Sequence, residues 1–197
     1  LRFDQTGLYT APSSVPEAIT VGVQAASTAN AAAVAETSFT VSPSSSSQQM
    51  VGPVTPNGGT GNKQLFSFQA TPVSGSLAWV QMLFGESLSP TSACLVYYDP
   101  PSQTIRLSAN DSTASYNDWV NQPVVLGTPS TVIANSQCSV DVGNSSVTGS
   151  SSTGLHVNLS VTFLGPWQGS LQYIFMAAED SAGNQTDWPI VGTWNIP

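Results

Sequence analysis

Residues 155–163, LHVNLSVTF, alternate without a break: Leu155, Val157, Leu159, Val161 and Phe163 fall on one side, His156, Asn158, Ser160 and Thr162 on the other. A strict period of two sends successive side chains to opposite faces of a β-strand and gives no continuous stripe on a helix. One face is therefore buried and the other wet, and the buried face demands a second layer to pack against. The same period recurs at 19–25, where Ile19, Val21, Val23 and Ala25 share a face, and at 64–70, where Phe66 and Phe68 point inward. Segments 77–84 and 171–178 are apolar on both faces, which predicts strands in the middle of a sheet, with Trp79 as a candidate core tryptophan between two sheets. Shorter strands are predicted at 37–41, 94–98, 104–108, 131–134 and 190–196. The one candidate helix, Ala29–Ala35, is short and lacks an apolar stripe, and reads better as a hairpin loop. Strands between closely spaced turn signals predict an all-β, antiparallel sandwich.

The stretch 42–62, SPSSSSQQMVGPVTPNGGTGN, is rich in Ser, Pro and Gly and separates two strand-bearing regions. It predicts three parts: strands in 1–42, a linker with a first edge strand around Met50–Thr55 in 43–62, and the main sandwich in 63–197. Loops are expected at 57–62, 85–92, 100–103, 109–118, 143–154 and 180–188. In the last of these, Asp180 and Asn184 bracket a turn with Gly183 free to take φ > 0.

Charge narrows the function. Only 7% of the 197 residues are charged, against roughly 25% in an average soluble domain, while 40% are apolar, enough for a core. Three basic residues face eleven acidic ones, a net charge of -8. Nucleic acid and anionic membrane surfaces both require clustered Lys and Arg, so neither is an expected partner. No apolar run is long enough to span a bilayer as a helix, so no membrane insertion is expected. No basic start followed by an apolar run marks a signal peptide, which predicts a mature product or a fragment of something longer. A surface of Ser, Thr, Asn and Gln suits an extracellular location. There the two cysteines, Cys94 and Cys138, are expected to form one structural disulfide, since no CxxC pair or nearby His makes a zinc site.

Two sets of residues carry a resemblance. GLYTAP at 7–12, AITVGVQAAS at 18–27 and AETSFTV at 35–41 resemble the closing strands of a bacterial Ig-like domain, with the departure that the opening strands do not precede Leu1. LAWVQMLF at 77–84, ACLVYYD at 93–99, NSQC at 135–138, AAEDSAGN at 177–184 and GTWNIP at 192–197 resemble a module that follows Ig-like repeats in large secreted proteins of soil bacteria. The resemblance implies an Ig-like or fibronectin-like sandwich, preceded by the closing strands of a second such domain, in an extracellular or cell-surface protein. It implies fold and location more than activity. A sheet formed by the first forty or so residues, with Ile19, Val21, Val23 and Phe39 on one face, needs a cover: the 50–197 domain, sequence upstream of Leu1, or a strand from another copy, whose head-to-tail pairing could propagate as a filament.

Catalytic signatures are weak. The lone histidine, His156, sits on the wet side of its strand, and no G-x-S-x-G marks a nucleophile. Glu86, Asp99, Asp111, Asp118 and Asp180 lie in or beside loops without a spacing that pairs them. Asn110, Asp111, Ser112, Asn117 and Asp118, with Asp99, offer oxygen ligands for calcium, but loop Asx residues ordinarily make local turns, and no metal or other cofactor is expected. Lys63, the only lysine, sits in a Gly/Asn-rich stretch unsuited to an isopeptide bond. Four sequons begin at Asn110, Asn144, Asn158 and Asn184, close to chance in so Asn- and Ser-rich a chain. The candidate ligand-binding residues are aromatic: Tyr116 and Trp119 in YNDWVNQP, Trp167 in GPWQG and Trp188 in TDWPI. The chain is thus expected to be a non-catalytic structural or adhesive module, with other extracellular proteins or copies of itself as partners. The alternative is a carbohydrate-binding module of a secreted degradative enzyme, with polysaccharide as partner. An exposed coplanar pair among Trp119, Trp167 and Trp188 favours the alternative, and burial of all three favours the first.

Overall fold

The computed structural model describes residues 19–26, 34–41, 49–109 and 117–197. The chain divides into two compact units, Leu1–Ser47 and Gln48–Pro197. In the first, strands β1 (Ile19–Ala26) and β2 (Val34–Val41) form an antiparallel hairpin in continuous register from Ile19↔Val41 to Ala26↔Val34. GLYTAP, whose resemblance places it among the closing strands of an Ig-like domain, lies outside the described residues, as do residues 27–33 and the side chains of Ile19, Val21 and Phe39.

The second unit is all-β. Its strands are β3 (Val51–Thr55), β4 (Lys63–Ala70), β5 (Leu77–Gly85), β6 (Cys94–Asp99), β7 (Thr104–Leu107), β8 (Val124–Val125), β9 (Val132–Ala134), β10 (Cys138–Ser150), β11 (Gly154–Phe163), β12 (Ser170–Asp180) and β13 (Ile190–Ile196). They make two antiparallel sheets, one ordered β3-β4-β11-β10-β9 and the other β13-β12-β5-β6-β7-β8. The five apolar residues of β11 all enter one core, where they meet Phe66 and Phe68 of β4 and Val80, Met82 and Phe84 of β5. An aromatic cluster centres that core: Phe66 lies 5.0 Å from Phe84 and 5.1 Å from Trp194, and Phe84 lies 5.3 Å from Phe163, ring centroid to ring centroid. Rings tilted or edge-on at this separation gain contact beyond simple burial.

The disulfide joins the sheets. Cys94 opens β6 in the six-stranded sheet and Cys138 opens β10 in the five-stranded one, and both are fully buried. The loop between β3 and β4 also touches the far sheet: Thr60 bridges Asn195 in parallel, and Thr193 N–H donates to the Asn57 carbonyl at 2.9 Å.

Segments 77–84 and 171–178, apolar on both faces, occupy adjacent interior positions of the six-stranded sheet as β5 and β12. Each therefore serves two cores. Val80, Met82 and Phe84 face inward with Ile174, Met176 and Ala178, while Leu83, Leu95 and Phe175 form a second buried cluster outside the sheet. Trp79 corrects the sequence reading. It sits half-exposed on the outer side, in the row of Gln81 and Leu83 rather than that of Val80. The loop expected at 143–154 is also corrected: its first part continues β10 to Ser150. Gly143–Ser150 has no apolar alternation, but pairing with β11 imposes the strand, from Ser146↔Asn158 to Ser150↔Gly154. An irregularity between Asp141 and Ser146 is stitched by Ser145, whose hydroxyl donates to the Asp141 carbonyl and accepts the Ser160 N–H.

Candidate functional site

Strand register aligns outward-facing residues of the six-stranded sheet into rows. One row runs Ala177–Gln81–Tyr97–Arg106 across β12, β5, β6 and β7, and beside it Glu179 lies opposite Trp79. The apolar row Phe175–Leu83–Leu95 is the second buried cluster, and Trp188 from the β12–β13 loop packs on it. Trp79, Tyr97 and Trp188 are all half-buried, and with Gln81, Asn117 and Gln185 they line a groove of about 410 Å³.

A second cavity of about 570 Å³ shares Asn117 and continues over Arg106, Trp119, Gln122 and Pro123. Tyr97 and Trp119 stand between the two, ring centroids 5.5 Å apart. The segment carrying Trp119 is tied to β7. Ser108 and Trp119 form an antiparallel bridge, Val120 N–H donates to the Leu107 carbonyl at 2.9 Å, and the Asn121 side-chain oxygen accepts the Leu107 N–H at 2.9 Å. Asn121 also donates to the Gln122 carbonyl, so its amide is spent on holding the loop rather than offered outward.

Trp188 is placed by a turn. Asp180, buried at the end of β12, accepts N–H groups from Ser74, Ala182 and Asn184 at 2.9, 3.0 and 3.0 Å and the Asn184 side-chain amide on both oxygens. Gly183 takes φ 82° within this turn, as its sequence position required. Burial works to raise the Asp180 pKa, but hydrogen bonds from the Asn184 side chain and from the Ser74, Asn184 and Ala182 amides outweigh it, holding the carboxyl at about 2. The loop then bonds back over the sheet, with Thr186 N–H on the Ala178 carbonyl and Met176 N–H on the Pro189 carbonyl.

Electrostatics in the groove are mixed. Burial pushes the Tyr97 phenol up, Asp99 and Glu179 push the same way, and Arg106 opposes them. The phenol thus stays a neutral hydroxyl, able to donate and accept.

Of the sequence candidates, the structure brings Trp119 and Trp188 to this outer face. Trp167 is elsewhere: a 3-10 turn, Gly165–Trp167, folds its indole back to 5% exposure, 6.0 Å from Phe163, where it closes one end of the core. Tyr116 lies outside the described residues, with Asn110, Asp111 and Ser112. Asp99 accepts the Ser102 hydroxyl at 2.7 Å within its own turn. Among the described residues, no group of three or more His, Cys, Asp and Glu could hold a metal ion. His156 is exposed on the outer side of the other sheet, 3.4 Å from the Ser67 hydroxyl. Sequence reasoning missed Trp79 and Tyr97 as site residues. The signal was present in Gln81, a polar residue two positions from Trp79 in an otherwise apolar strand, which marks the outward row. No family model matches the chain, and no curated sequence or solved structure matches it.

Proposed function

We propose that the chain is a non-catalytic adhesive module of an extracellular protein, built on an Ig-like sandwich of variable type, and that its binding surface is the outer face of the six-stranded sheet. The strand order supports the Ig-like reading. Taking β3, β4, β11 and β10 as A, B, E and D, and β13, β12, β5, β6 and β7 as G, F, C, C′ and C″, gives the two sheets of a variable-type domain. The disulfide departs from that pattern by linking C′ to D rather than B to F, and Trp79 on strand C faces outward. The buried disulfide is in keeping with an oxidising, extracellular setting.

The observation that carries the binding reading is the cluster of Trp79, Tyr97, Trp119 and Trp188 around two adjoining cavities. Large rings left half in water on a sheet face, one of them, Trp188, seated on the second buried cluster, suit a recognition surface. The test is retention of the protein on a panel of immobilised glycans, extracellular proteins and the chain itself. Retention on at least one surface is expected, lost in Trp79→Ala and Trp119→Ala but kept in Leu65→Ala, whose side chain is 53% exposed on the opposite sheet. Retention that ignores the two tryptophans, or follows Leu65, overturns the proposal.

A further inference from the structure

The groove's chemistry says more than that it binds. Resting on the binding-module reading, we infer that it takes a neutral, linear, β-linked polysaccharide lying along both cavities, from Trp188 and Trp79 past Tyr97 to Trp119.

Four features point to this class. The walls are indole and phenol rings, which suit the flat C–H faces of equatorially substituted pyranoses. The polar lining is mainly side-chain amides, Gln81, Asn117, Gln122 and Gln185, with the Tyr97 hydroxyl. Amides and neutral hydroxyls both donate and accept, which is what a ring of sugar hydroxyls offers in return. A phosphate, sulfate or uronate ligand would instead call for converging cations. Here Arg106 is the sole basic residue among the described residues lining the two cavities, Asp118 lines the same cavity, Asp99 and Glu179 act on Tyr97 nearby, and the whole chain carries -8. Finally, the two cavities of about 410 and 570 Å³ meet at Asn117, so the surface is elongated and shaped for a chain rather than for one ring. A β-linked chain is ribbon-like and presents repeated flat faces, which lets Trp79 in one cavity and Trp119 in the other engage separate units of the same chain.

Calorimetric titration of the 197-residue protein with cellohexaose, xylohexaose and hexagalacturonic acid tests the inference. One or both neutral hexasaccharides should bind and the acidic one should not. Trp79→Ala and Trp119→Ala should each weaken binding by about tenfold or more, the loss expected from a stacking ring. Gln185→Ala, in an exposed loop where folding is not at stake, should weaken it several-fold, and Leu65→Ala should leave it unchanged. Equal or tighter binding of hexagalacturonic acid overturns the neutral-ligand inference. So does failure of both neutral chains while groove variants still abolish retention on a protein or on a second copy; the binding-module reading then survives. If the wild type and the groove variants behave alike on every surface, both fall.

Discussion

The carboxylate of Asp180 receives the backbone N–H of Asn184 at 3.0 Å and its side-chain amide at 2.9 Å, so that one residue pair closes the turn from which Trp188 is hung. Asp180 is a positioning residue for the groove rather than a contact within it. Asp180→Ala strands three amides, those of Ser74, Ala182 and Asn184, without acceptors. We expect a lower melting temperature together with a red-shifted, more solvent-exposed Trp188 emission, read against a Trp188→Phe control. An unchanged emission in a folded variant would show that the loop holds its course without the carboxylate.

The same carboxyl sets an acid limit. Its folded pKa of about 2 lies below the ordinary 3.8, so its contribution is full above 3.8 and is lost as pH falls toward 2. Asp141, whose pKa is lowered chiefly by the Asn144 side-chain hydrogen bond, adds in the same direction. Thermal unfolding followed from pH 5 downward should show a falling melting temperature across that window, with a shallower slope in Asp180→Asn.

Removing the disulfide should weaken the fold without redirecting it. The bond closes a separation of 44 residues, which the chain-entropy model values at about 4 kcal/mol. Cys94→Ala combined with Cys138→Ala should lower the denaturation midpoint accordingly. Mild reductant should leave the native protein untouched, since both sulfur-bearing residues are fully buried.

Two aromatic truncations should separate core from surface. Phe66→Ala empties the centre of the ring cluster and is expected to cost about 3–5 kcal/mol in denaturant titration. Trp79→Ala, on the outer row, should cost about 1–2 kcal/mol. If the two losses are equal, Trp79 is a structural residue and not a recognition one.

Close packing at β13 gives a further check. A Cβ on Gly192 would stand 2.6 Å from the Asn57 carbonyl and 2.8 Å from the Val54 side chain. Gly192→Ala must push β3 away from β13, at about 1–3 kcal/mol of overpacking. Amide exchange at Thr193, which donates to Asn57, should quicken.

The architecture was legible where one rule acted alone. The alternation of β11 named every core residue it supplies, and the two-sided apolarity of β5 and β12 foretold their interior places in the sheet. Legibility failed where pairing overrode composition, as in Gly143–Ser150, which becomes strand only because β11 lies beside it. It failed again at Trp79, because a strand apolar on both faces does not say which face holds the main core. The groove was half legible: Trp119 and Trp188 stood out as loop aromatics, but their meeting with Tyr97 and Trp79 depends on register between strands far apart in sequence.

Cys94 and Cys138 also decide how this module answers a pull. Tension applied to the chain outside the pair crosses from Cys94 to Cys138 through the sulfur bridge and bypasses everything between them. That bypassed stretch contains β6 to β9, hence both Tyr97 and Trp119. The outer strands can be peeled, but the portion bearing these two rings cannot be drawn out lengthwise while the bridge is intact. Tension carried along the chain from one side of the pair to the other thus never passes through the segment that bears these two rings.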